Sequence, residues 1–169
     1  MLHVCLIAAL LTASANHQHD FDFEFGSWTT TLRMQPHPLQ NSKDWVTYAG
    51  TSVVRKVWNG RANLGELEVS SGTKHIEAMT IRIYDPRSQM WKIYFATAQA
   101  GVEATPTVGR FENGRGEFYD TEEYNGKAVK VRFVFSHITA TSFEFVQSFS
   151  ADGGKTWLPN WIATFKRST

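Results

Sequence analysis

Few residues in this chain could do chemistry, and their spacing limits what each could do. His75 and His137 fall on or beside strand-like runs. Either could act as a general base, but a single strand histidine is more often a structural or surface group. Asp120, Glu122 and Glu123 form a close set of carboxylates, and paired carboxylates can divide acid and base roles. They flank the turn signal Asn125-Gly126, so a solvated tip is the simpler account. His17 and His19 with Asp20 could hold a divalent metal; a solvated tail again explains them more simply, and no metal site is expected. Arg82 and Arg132 stand mid-strand opposite apolar parities. They point outward if those apolar faces are buried, and could anchor a carboxylate if a strand bend reverses them. There is no G-x-S-x-G elbow, no H-E-x-x-H, no phosphate loop and no dinucleotide fingerprint, so no cofactor is expected and no catalytic residue can be assigned.

Gln147 is more informative. It shares a parity with Phe143, Phe145 and Phe149, which places an amide among inward aromatic rings. A buried amide must bond backbone or water, or orient a ligand. Thr97, on the same parity as Trp91, Ile93 and Phe95, is a milder case. The candidate ligand-binding set is therefore Trp91, Phe95, Thr97, Phe133, Phe145, Gln147 and Trp161.

The elements that must position these residues are strands. Residues 141–166 alternate with period two, reverse at Ala151-Asp152-Gly153-Gly154, and return with Trp157, Trp161, Ala163 and Phe165 on one parity. Pro159 predicts a bulge or break near the start of that return. The scheme repeats along the chain. Phe21-Asp22-Phe23-Glu24-Phe25 alternates strictly and leads through Trp28 into a β-rich run. Trp45–Trp58 is a long strand with Gly50 at a bulge or bend, and Asn59-Gly60, Asn113-Gly114 and Asn125-Gly126 signal hairpins. Residues 74–84 set Met79, Ile81 and Ile83 against Thr80, Arg82 and Tyr84, and Asp85-Pro86-Arg87-Ser88 predicts a type I turn. About ten strands result, with no convincing amphipathic helix. Short connections argue for an antiparallel meander, and ten strands close more readily than they leave two long edges. The expected fold is all-β, an up-and-down barrel with an aromatic interior; a two-sheet sandwich is the alternative.

The 169 residues fit one domain, and 17 basic against 16 acidic side chains give no field pointing to nucleic acid. Aromatic residues make up 14%, so many must be buried or line something. Residues 1–15 read as a secretory signal peptide: an apolar run from Val4 to Leu11, then Ala13-Ser14-Ala15 as the cleavage site, with the barrel domain at 16–169. Export, to the periplasm or beyond the cell, is the expected localisation. Cys5, the only cysteine, lies in that run, so the mature chain would hold no thiol or disulfide. No later segment is long and apolar enough for a membrane-spanning helix. Oligomeric state is not legible.

Gly26-Ser27-Trp28 resembles the G-x-W of calycin-type barrels. In lipocalins that tryptophan packs across the closed end of the barrel against a basic residue at the last strand. Lys166 and Arg167 occupy that position here. Ile81-Arg82-Ile83-Tyr84-Asp85-Pro86 before Trp91, and Val108-Gly109-Arg110-Phe111 before Gly116-Glu117-Phe118-Tyr119, extend the resemblance over 20–167 to a group of exported bacterial lipocalin-like proteins. It implies a fold and no particular activity. Ser150-Ala151-Asp152-Gly153-Gly154-Lys155-Thr156-Trp157 also matches the S-x-D-x-G-x-T-W box of sialidase propellers; a single copy reads as a hairpin device.

Three functions follow as expectations. The first is an exported binder of a small apolar or aromatic molecule. The second is a lyase, isomerase or cyclase working in the same cavity, which a strongly shifted inward carboxyl or histidine would favour. The third is a packed structural or partner-binding module.

Overall fold

Period-two segments joined by tight turns pair in sequence order, and the last strand returns to the first. The computed structural model describes residues 17–40 and 42–169; the expected signal peptide and Cys5 lie outside the described residues. The strands are β1 (Gly26–Met34), β2 (Val46–Val57), β3 (Ala62–Ser71), β4 (Lys74–Asp85), β5 (Met90–Thr97), β6 (Gly101–Val102), β7 (Thr107–Glu112), β8 (Arg115–Tyr124), β9 (Lys127–Ser136), β10 (Ser142–Ser150) and β11 (Leu158–Arg167). All pairings are antiparallel. β1 to β5 and β7 to β11 form a closed ring through β4–β5, β5–β7 and β1–β11, while β6 pairs only with β5 outside it. Closure removes the exposed edges that an open sheet of this size would carry. Among the described residues no helix is long and apolar enough to cross a membrane, which says nothing of crossing by strands.

Local chemistry sets the joints. Asn113-Gly114 and Asn125-Gly126 take positive φ at both positions, as a two-residue hairpin turn requires. A Cβ on Gly50 would lie 1.9 Å from the Glu68 carbonyl oxygen, so β2 and β3 approach there more closely than any side chain permits. The register through Gly50 is unbroken, so the glycine serves close approach and not a bulge. The bulge falls at Asn160, next to Pro159, where the β10–β11 register slips between Gln147 and Ser148. The β10–β11 connection is tied by Asp152. Its carboxylate accepts from the Lys155 and Thr156 amides and from the Ser150 and Thr156 hydroxyls, which holds its carboxyl down at about 2.

Two expectations need correction. Phe21–Phe25 is not a strand: the segment forms a short 3-10 turn at Asp22–Glu24 that crosses one end of the barrel. Phe21 and Glu24 are buried, and Phe21 stacks beside Phe23 with 6.3 Å between ring centroids. The turn is favoured because it inserts both rings and one carboxylate into the barrel end. The parity of 74–84 is also reversed. Ala78, Arg82 and Tyr84 are buried, and Met79 is exposed. Arg82 can face inward because Glu24 and Asn63 receive it there. Arg132 does lie outside, 4.6 Å above the Trp157 ring.

The core gathers at the turn-covered end: Phe21, Trp28, Trp91, Phe111, Phe118 and Phe135 pack with Phe143. A smaller cluster of Leu32, Tyr48, Val69 and Ala163 fills the far side of β1 to β3 and β11. Between them the barrel is not full.

Candidate functional site

The N-terminal turn is pinned before it can position anything. The Trp28 indole N–H donates to the Glu24 carbonyl at 2.7 Å, and that of Trp91 donates to the His17 carbonyl at 2.7 Å. Of the two basic candidates at the last strand, Arg167 covers the Trp28 ring at 4.1 Å. Its Nη1 and Nη2 donate to the carbonyls of Phe25 and Phe23, and its Nε to that of Ala140, each at 2.9 Å. This clamp fixes Glu24 at the inner end of the barrel.

Glu24 meets Arg82 there, Nη1 to Oε2 at 2.7 Å, with both side chains nearly sealed from water. Arg82 Nη1 also donates to Asn63 Oδ1 at 3.0 Å, and the guanidinium lies 5.0 Å from the Phe21 ring centroid. Burial raises the Glu24 carboxyl to about 6 against the opposing pull of Arg82, and burial likewise lowers Arg82. Glu24 Oε1, Arg82 Nε and Asn63 Nδ2 have no hydrogen-bond partner among the described residues.

Beyond this pair lies a cavity of about 230 Å³. Common ligand pockets start near roughly 300 Å³, so only a small molecule fits. Five predicted residues line it: Phe95, Phe133, Phe145, Gln147 and Trp161. Phe133 packs edge-on against Phe145 at 5.1 Å, and Phe95 edge-on to Trp161 at 6.3 Å. Gln147 Nε2 donates to Asn160 Oδ1 at 3.0 Å; the bulge next to Pro159 is what turns Asn160 inward. Trp91 and Thr97 do not line the cavity. Trp91 is fully buried against Phe21 at the turn-covered end, because the segment 17–25 fills the space its parity would otherwise expose. Thr97 ends β5 and its hydroxyl accepts the Ala100 amide.

The outer part of the cavity is acidic. On β8 the parity of buried Phe118 continues through Asp120 and Glu122, which therefore face inward. Glu122 lines the cavity, as does Glu103 on the segment after β6, whose amide donates to the Phe95 carbonyl. Burial, then the charges of Asp120 and Glu103, push Glu122 up to about 7. Burial and Glu103 push Asp120 up to about 6, and burial raises Glu103 as well. These carboxylates stand where the strand ladder is interrupted, with β6 and Glu103 bonded to β5 in place of β7. β5 and β7 pair only from Trp91↔Gly109 to Ile93↔Thr107, and from Asp120 to Tyr124 β8 pairs with β9 alone. The solvated-tip account of Asp120 and Glu122 is thus corrected: they stand on an inward parity that Phe118-x-Asp120-x-Glu122 already displays.

The remaining candidates lie apart. His75 bonds Ser70 Oγ at 2.8 Å on the outside, and His137 is exposed, 3.5 Å from Glu144. His17 and His19 pair with Asp20 and Asp22, and among the described residues no group of three His, Cys, Asp or Glu is placed to hold a metal. Arg82 is external by sequence unless the strand parity reverses, and it does reverse; Glu24, its partner, escaped the sequence reading, and the charged residue inside F-D-F-E-F was the available signal.

Fold and site together define a class: a closed ten-strand antiparallel barrel that resembles the lipocalin, calycin-type fold, with an aromatic cavity. The chain is similar to the S-type phycobiliprotein lyase CPES from Guillardia theta, with a TM-score of 0.62 and 13% identity over 92% of this chain and 94% of that one. It is also similar to EF1p2_mFAP2b bound to DFHBI (TM-score 0.49, 10% identity, 90% and 99% of the two chains). A redesigned beta barrel, b11L5F_LGL, is similar too (TM-score 0.48, 11% identity, 94% and 100%). No family model matches the chain, and no curated protein matches it.

Proposed function

We propose that this protein is an exported binder of a small apolar or aromatic molecule, held in the barrel cavity. One observation carries the reading: about 230 Å³ of space among Phe95, Phe133, Phe145 and Trp161, with the Gln147 amide as a fixed polar group. Apolar walls supply the affinity and a few placed polar groups supply orientation. Export is supported only by the sequence of residues 1–15.

The test is a tryptophan-fluorescence titration with one- and two-ring aromatic compounds and short apolar alcohols. Saturable quenching is expected from at least one of them and should vanish in Trp161→Phe. A flat response from every compound overturns the reading.

A second reading, a lyase, isomerase or cyclase in the same cavity, has one observation in its favour: the raised carboxyls of Glu24 and Glu122, suited to proton transfer near neutral pH. The likeness to a phycobiliprotein lyase is one of fold and adds no residue to that case. Recovery of a bound compound chemically unchanged after prolonged incubation would favour the binder.

A further inference from the structure

Charge narrows the kind of molecule this cavity would take, a step that rests on the ligand-binding reading above. Arg82 is the single cation among the described residues that line the cavity, and Glu24 neutralises it. Glu66 is engaged by Arg55 on the outer face. That leaves Glu103 and Glu122, with Asp120 beside them, against no cavity cation. The nearest opposing charge, Lys130 on β9, spends its ammonium on Thr121 Oγ1 outside the wall. Asp120 Oδ1 is buried without a hydrogen-bond partner. Above the value of about 7 at which Glu122 ionises, the site therefore carries negative charge with no cavity cation opposite it, next to four aromatic rings.

A separate observation at the other end points the same way. Glu24 is 1% exposed, lines the cavity, and has in Oε1 an acceptor with no donor. A buried carboxylate oxygen left in that state is costly, so the inner end of the cavity also favours a cation or a donor over an anion. Aromatic faces favour a cation over a neutral group, more so where water is excluded. Beside Phe95 the wall is continued by β6 and Glu103 in place of β7, so the ladder toward Asp120–Tyr124 is interrupted where the acidic groups stand.

We propose that the cavity takes a small aromatic cation, its protonated amine held between Glu103 and Glu122 and its ring among Phe95, Phe133, Phe145 and Trp161. An anion would meet repulsion at Glu103 and Glu122, and a neutral molecule would leave their charges uncompensated.

The test is calorimetric titration of the folded chain with three matched probes: 2-naphthylmethylamine, 2-naphthylmethanol and 2-naphthoate. It is run near about pH 8, where the raised carboxyls are ionised. The amine should bind about tenfold or more tighter than the alcohol, with the naphthoate weakest. Glu122→Gln should remove most of the difference in affinity between amine and alcohol. Glu103→Gln, outside the barrel staves, should do the same if Glu122→Gln fails to fold. Equal binding of amine and alcohol, or tighter binding of the naphthoate, overturns the proposal and leaves the cavity reading standing. Binding of none of the three, together with the flat fluorescence response described above, overturns both.

Discussion

Arg82 Nη1 stands 2.7 Å from Glu24 Oε2 inside the barrel, so a turn that precedes the first strand is coupled to the middle of the fourth. Removing one partner leaves a buried charge alone. Arg82→Met should cost on the order of 3–5 kcal/mol in urea unfolding, and the Glu24→Gln, Arg82→Met double variant should recover most of that loss. Strictly additive losses would mean that the pair is not coupled as its geometry implies.

Glu122 gives a prediction in pH. Its folded value of about 7, and that of Asp120 near 6, lie above the ordinary carboxylate range. The folded protein then holds protons that the unfolded chain releases. The associated stability is full below the unfolded values and is lost as pH rises through about 6 to 7. Melting should therefore be higher near about pH 5 than near about pH 8. Glu103, Asp120 and Lys130 are the charges that act on this pair. Glu122→Gln should flatten the profile and raise stability at the higher pH by on the order of 1 kcal/mol, well short of the full linkage value because the group is only part-buried. A variant less stable than the parent at the higher pH would contradict the account in which burial, and then like charge, raises Glu122.

Arg167 holds three carbonyls and one indole face at once. Lysine carries a point charge with no planar fork, so Arg167→Lys should lose nearly as much as Arg167→Ala, about 2–3 kcal/mol by thermal unfolding. Full rescue by lysine would show that charge alone is what matters there.

The barrel was legible because its information is local. The period-two runs, the Asn-Gly pairs and Pro159 each dictate a nearby geometry, and ten such segments close in chain order. Phe133, Phe145 and Gln147 reached the cavity for the same reason. Two parts resisted. Phe21–Phe25 has the pattern of a strand, yet its place is set by bonds from Trp28 and Arg167, and by Trp91 holding His17 ahead of it, none of which belongs to that pattern. Arg82 breaks the rule that the more apolar parity faces inward, since its partner Glu24 lies far back along the chain. A parity read by hydrophobicity alone cannot anticipate a charge that is matched across the barrel. The volume left over depends on how rings from different strands interlock, and pattern carries no such number.

The short junction between β5 and β7, tied from Trp91↔Gly109 to Ile93↔Thr107 only, makes the wall act as a seam with a loose end. Amides of β6 and of residues 103–105 should surrender their protons to deuterium well before those of β9 and β10, without the whole molecule opening. A guest could then load and leave through a local parting of the staves. Its residence time would follow that fluctuation, and a cross-link sewn over the junction would slow exchange of the guest while barely changing how tightly it is held.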